Sequence, residues 1–146
     1  MVSQFHQLFD APILDTPQIP PIDRANLRVS LLQEELDEFI EAIKNNNLIE
    51  AADALADMQY VLTGSVLEFG LWDKFADIFA EVQRSNMSKA CISIEEAEKT
   101  VDFYRNQKNI DTYMIQKWDQ YLIYRSSDNK SLKSINYSSV DLKKII

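Results

Sequence analysis

Two stretches of this 146-residue chain concentrate the side chains that could do chemistry. LLQEELDEFIEAI runs from Leu31 to Ile43, LIEAADALADMQYVL from Leu48 to Leu62, and both carry carboxylates at helical spacing. Only Lys44, Asn45, Asn46 and Asn47 separate them, a link short enough to make two helices antiparallel neighbours. Acids from both could then converge on one spot. Converging carboxylates repel one another unless a cation sits among them, and a divalent metal such as Mg²⁺, which takes oxygen ligands, is the usual occupant.

The helical period sorts these acids. On the first helix Leu32, Leu36, Phe39, Ile40 and Ile43 recur as an apolar stripe, while Gln33, Glu34, Asp37, Glu41 and Lys44 gather on the solvated side. Glu35 and Glu38 belong to neither group: they share a line with Leu31 and Ala42 along one edge of the stripe. On the second helix Leu55, Met58, Leu62, Val66 and Phe69 form the apolar stripe, and Glu50, Asp53 and Asp57 form a separate line. Ala52 and Ala56 lie beside that line and are small enough to admit another helix closely. The plain alternative is that both acid runs are wet faces. A second inward line on a neighbouring helix is what argues for a site.

Length and composition set the frame. The expectation is one domain over residues 1–146, with a helical core over about 22–90 and a C-terminal helix and hairpin over about 93–146. Two glycines and four prolines argue for long uninterrupted elements, hence mostly helix. The formal net charge of −8 disfavours a binder of nucleic-acid polymers, which needs a basic face, but leaves a nucleotide substrate open because bound cations offset local charge. Cys91 is the only cysteine, so no internal disulfide forms and nothing requires an oxidising compartment. No apolar run is long enough to span a bilayer, and MVSQFHQLF at the N-terminus lacks a basic region followed by a long apolar one. The expected location is cytoplasmic, without a membrane partner.

Residues 1–9 read as a short amphipathic helix and residues 10–22, with Pro12, Pro17, Pro20 and Pro21, as an extended connector. The first long helix is expected to open near Ile22 or Asp23, with Asp23 as its cap, and the second to be capped by Asn46 or Asn47 and stopped at Phe69 by Gly70. Gly64 sits inside it, where a close helix crossing or a ligand would explain a glycine. A third helix is expected from Trp72 to about Met87, burying Phe75, Ile78, Phe79 and Val82. Ser93 and Glu96 make a capping-box signature for a helix ending near Gln107. Thr112–Lys117 and Tyr121–Arg125 read as a hairpin, and Leu132–Tyr137 as a third short strand. Trp72, Trp118 and most phenylalanines read as core, and His6 as a packing or substrate-edge residue.

The run from LLQEELDEFIEAI to EAADALADMQYVLTGSVLEFGL resembles the all-α nucleoside triphosphate pyrophosphohydrolases, the MazG-like group related to phosphoribosyl-ATP pyrophosphatase, dimeric dUTPases and dCTP pyrophosphatases. The family motif is EExxE followed by ExxD on the second helix; here Glu34-Glu35-Leu36-Asp37-Glu38 supplies the first half and Asp57 ends the second. FHQLFDAP, EVQRSNMSK and SDNKSLKSINYSSVDL are similar to a phage and bacterial branch of the group. One departure stands out: the second-helix Glu would fall at Ala54, and this chain has Asp53 instead.

The resemblance implies a mainly α fold, an antiparallel helical bundle of the all-α NTP pyrophosphatase type with a small C-terminal β-hairpin extension. It implies Mg²⁺, or Mn²⁺ in its place, held by Glu35, Glu38 and Asp57 with Asp53 completing the set. Glu34, Glu35, Glu38 and Asp57 would be catalytic, Glu34 or Glu38 orienting an attacking water. Attack between the α and β phosphates of a nucleoside triphosphate would yield a monophosphate and pyrophosphate. Arg84, Asn86 and Lys89 in the family's NMSK stretch, and Lys133 and Tyr137 near the C-terminus, would bind substrate. A helical pair with two inward faces cannot bury both alone, so pairing with a second copy into a four-helix bundle is expected, and the resemblance implies a homodimer or a dimer of dimers. Three alternatives remain. One is phosphoribosyl-ATP as substrate. Another is an inactive helical oligomerisation or interaction protein on the same scaffold. A ferritin-type di-iron bundle is disfavoured, since it needs Glu-x-x-His twice and His6 is the only histidine.

Overall fold

A computed structural model describes all 146 residues. The chain is mainly helical, with five helices and one two-stranded antiparallel hairpin, and divides into two compact units, Met1–Phe75 and Ala76–Ile146.

The first unit is built on a long helical hairpin. α2 (Ile22–Lys44) and α3 (Leu48–Glu68) are joined by Asn45, Asn46 and Asn47, with Asn46 in the left-handed region at φ 50°. Asn47 caps α3, its side-chain oxygen accepting from the backbone N–H groups of Ile49 and Glu50. At the other end Gly70 takes φ 64°, the left-handed residue that commonly closes a helix. A side chain there would collide with the carbonyl of Thr16, because the connector from Phe9 to Pro21 runs back across this end. Leu14 and Gln18 donate their backbone N–H groups to the carbonyls of Leu67 and Phe69. α1 (Val2–Leu8) packs on α3. Asp23 is not the cap of α2; Pro21 holds that position, and Asp23 lies in the first turn, where its charge still suits the positive helix end.

The second unit holds α4 (Phe75–Met87, whose first residue lies at the boundary), α5 (Ile94–Lys108), β1 (Thr112–Lys117) and β2 (Gln120–Arg125). α5 packs on both strands over a core of Cys91, Ala97, Ile123 and Leu132. Ser93 caps α5 by accepting from the Glu96 N–H, and the buried Glu96 carboxylate reaches back to the N–H of Ile92 and the hydroxyl of Ser134.

Four sequence expectations change here. α4 starts at Phe75 rather than Trp72, because Leu71–Lys74 close a turn of their own. Phe79 is exposed, while Ile78 is buried. Residues 132–137 form no strand: the pairing is an isolated bridge between Ser131 and Tyr124, and Ser134 then turns the chain with its hydroxyl. Neither tryptophan is core: Trp118 is 81 % exposed at the hairpin tip, and Trp72, in the first unit, is 52 % exposed.

Candidate active site

The register of α2 against α3 decides which side chains face each other. Arg24 donates to Glu68 twice, Nε to Oε2 at 3.0 Å and Nη2 to Oε1 at 2.6 Å. Arg28 donates from Nε to the same Oε1 at 3.0 Å. Glu68 is fully buried, and two guanidinium groups compensate its charge. Arg28 also crosses Gly64, so closely that a Cβ at Gly64 would lie 2.6 Å from Arg28 Nη2 and 2.8 Å from His6 Nε2. That close crossing accounts for the glycine. His6 is buried too, and its Nδ1 lies 2.9 Å from the carbonyl oxygen of Pro12, which can only accept, so Nδ1 carries the proton.

Arg24 and Arg28 fall on the same helical line of α2 as Leu31, Glu35, Glu38 and Ala42. With Arg24 opposite Glu68 and Arg28 opposite Gly64, the antiparallel register puts Glu35 opposite Asp57 and Glu38 opposite Ala54. Burial agrees: Ala42 and Ala54 are the small buried residues that let the helices close, and Glu35 is half-buried. The Glu35 carboxyl is held above its ordinary range, first by burial and then by the negative charge of Asp57, followed by Glu38, Glu34 and Asp53. One side chain thus feels Glu34, Glu38, Asp53 and Asp57, the four other acids assigned to the site.

The remaining acids are more open. Glu38 borders two grooves. One, of about 650 Å³, is lined by Glu34, Asp37, Glu38 and Glu41 with Val29, Ser30 and Gln33. The other, of about 290 Å³, is lined by Glu38, Glu41 and Glu50 with Ala42, Asn45 and Asn47. Asp53 is exposed, one position off the facing line that Ala54 occupies. No three His, Cys, Asp or Glu side chains stand close enough together to hold a metal ion as arranged. The donor chemistry nonetheless fits a hard divalent cation: the facing groups are all carboxylates, with no histidine or cysteine among them.

The predicted substrate-binding residues all lie in the second unit. Two of them meet: Lys133 Nζ lies 4.0 Å from the Tyr137 ring centroid, and the Tyr137 hydroxyl is 3.1 Å from Ser85 Oγ. Ser85, Lys133 and Lys89 together lower the Tyr137 hydroxyl from its ordinary range. Lys89 donates to Asn86 Oδ1 at 2.8 Å and keeps further N–H groups free. Arg84 is committed otherwise, in a bidentate pair with Glu81 and a bond to the Ser139 carbonyl. Sequence reasoning missed Arg24, Arg28 and Glu68; the signal was the continuation of the Glu35–Glu38 line back to two arginines four residues apart.

The fold is mainly helical, and carboxylates of α2 and α3 face one another across the long hairpin. A profile of the phosphoribosyl-ATP pyrophosphohydrolase family matches residues 2–86, more than half of the chain, and the chain belongs to that family. Its class of activity is accordingly pyrophosphohydrolase-like. The chain is also similar to an uncharacterized protein of Acanthamoeba polyphaga mimivirus, 22 % identical over 88 % of this chain and 82 % of the relative. No helix is long and apolar enough to cross a membrane.

Proposed function

We propose that the protein hydrolyses a nucleoside or deoxynucleoside triphosphate to the monophosphate and pyrophosphate. The observation that supports this most is Glu35: half-buried between α2 and α3, opposite Asp57, with its carboxyl raised first by burial and then by the surrounding acids. Such crowding destabilises the free carboxylates and favours a site that takes up positive charge.

Glu35, Glu38 and Asp57, with Asp53, would hold Mg²⁺ or Mn²⁺. When bound, the ion supplies charge neutralisation and polarisation at the phosphoryl oxygens. Glu34 and Glu38 border one groove, and either can accept the proton of the attacking water. The water oxygen bonds to the α-phosphorus, the bridge to the β-phosphate breaks, and pyrophosphate leaves with the bridging oxygen. No covalent nucleophile is needed, in keeping with a buried Cys91. Arg84, Asn86, Lys89, Lys133 and Tyr137 are proposed to bind the phosphates. Lys89 and Lys133 carry most of that role, because Arg84 is already paired with Glu81.

The active form is proposed to be a homodimer or a dimer of dimers. Leu36, Ile40 and Ile43 on α2, and Leu55 and Leu62 on α3, are each 40 % or more exposed, so part of the apolar stripe of each helix is uncovered within one chain, while Val66 is buried. A second copy laid against them would complete a four-helix bundle.

Phosphoribosyl-ATP is the second reading, favoured by membership of the phosphoribosyl-ATP pyrophosphohydrolase family. A pyrophosphate-release screen over the natural nucleoside triphosphates, damaged ones and phosphoribosyl-ATP, with Mg²⁺, tests both. Release is expected from at least one nucleoside triphosphate and abolished by Asp57→Asn. Release from phosphoribosyl-ATP alone selects the second reading, and silence across the panel from folded protein overturns both in favour of a scaffold without activity.

A further inference from the structure

The hairpin lies beyond the residues matched to the family, and its tip is strained. Trp118 takes the first position of the two-residue turn between β1 and β2, at φ 56°. Tight hairpin turns give that position to glycine or asparagine, and a bulky residue there is held against its own preference. Packing does not explain it, because the side chain is almost wholly in solvent. Strain retained at an exposed aromatic points to a contact outside the chain.

Trp118 borders a cavity of about 270 Å³ within the second unit. Met87, Ala90 and Leu122 make its apolar walls. Asn86, Gln120 and Ser131 contribute amides and a hydroxyl. Its charges are Lys89 and Lys117, and Lys117 Nζ lies over the indole, 5.5 Å from the ring centroid. No carboxylate lines it, although the chain carries a net charge of −8. The cavity therefore selects against the prevailing charge of the molecule, for an anion that also has a flat face.

We propose that this cavity binds a nucleotide. The base stacks on the Trp118 indole, as bases do on exposed aromatic side chains. The amides of Asn86 and Gln120 address its edge, and Lys89 and Lys117 hold its phosphate. The volume is close to the lower bound of roughly 300 Å³ for small-molecule sites, which suits one base with its sugar phosphate at the mouth. The choice of ligand class rests on the hydrolase reading, with which the site shares Asn86 and Lys89; the binding itself needs no metal.

The test is equilibrium binding of AMP and UMP to the full chain in EDTA. Trp118 fluorescence in a Trp72→Phe background gives one readout and calorimetry the other. Ribose 5-phosphate serves as the probe without a base and adenosine as the probe without a phosphate. Both nucleotides are expected to quench Trp118, and both partial probes to bind at least tenfold more weakly. Trp118→Gly, which removes the ring and relaxes the backbone, is expected to weaken nucleotide binding at least tenfold while raising Tm. Lys89→Gln combined with Lys117→Gln is expected to weaken it and flatten its salt dependence. Asp57→Asn, which abolishes hydrolysis, keeps this binding. Failure of the unaltered chain to bind either nucleotide, or equal binding by Trp118→Gly, overturns the proposal. If pyrophosphate release persists in that case, the hydrolase reading stands without this site.

Discussion

Gly64 shows how a single residue records the packing around it. Glycine inside a helix costs about 1 kcal/mol relative to alanine, yet here it lets Arg28 and His6 lie against the backbone of α3. Neither neighbour is free to retreat: Arg28 is tied to Glu68 through Nε, and His6 to the carbonyl of Pro12. Gly64→Ala is therefore expected to lower stability by about 1–3 kcal/mol despite the gain in helix propensity, read as a drop in the urea midpoint at unchanged slope. An unchanged or raised midpoint would show that the cluster yields. The sequence exposed the anomaly at Gly64 but not its partner. Arg28 lies 36 positions away, and the pairing appears only once the register of the two helices is known. The same holds for Glu35: its line could be drawn from periodicity alone, whereas its position opposite Asp57 could not.

Elements set by local chemistry were the most legible. Asn47, Ser93 and Gly70 each act within a few residues of themselves, so the caps and the helix end they set were readable. The start of α4 and the segment 132–137 were not, because turns and a tertiary bridge decide them. Residues 138–141 are similarly tied to α4 by distant partners. Ser88 Oγ accepts from the Ser138 N–H, Arg84 donates to the Ser139 carbonyl, and Glu81 accepts from the Asp141 N–H. Arg84, and then the Asp141 N–H, hold the Glu81 carboxyl down at about 2. A depressed carboxyl stabilises the fold above its ordinary value of 4.5, and that contribution is lost as pH falls from there through about 2. Amide exchange at Asp141 is accordingly expected to stay protected at neutral pH and to lose protection across that window. Glu81→Gln should remove the pH dependence. Equal protection of Asp141 at pH 2 and pH 7 would show that Glu81 does not anchor the tail.

For the molecule as a whole, the apolar stripes were visible in the sequence, but what covers them was not. A stripe at helical spacing reads the same whether its partner is another element of the chain or another chain. Here α2 and α3 meet through Ala42, Ala54 and the Arg24–Glu68 line, and leave Ile40, Ile43 and Leu55 outward. Light scattering is expected to give two or four times the chain mass of 16.9 kDa. Ile40→Glu should shift it to one, since a charge in an apolar interface is strongly unfavourable. A monomer at tens of micromolar from the unaltered chain would contradict the assembly.

The facing carboxylates of α2 and α3 are proposed to take up a divalent cation. Paramagnetic titration with Mn²⁺ tests this without any choice of substrate. Binding is expected, diminished at least tenfold by Glu35→Gln and by Asp57→Asn. It should weaken as pH falls through the raised range of Glu35, whose carboxyl must lose its proton to serve as a ligand. Folded protein that binds no Mn²⁺, or binds it equally well in both variants, would contradict the account.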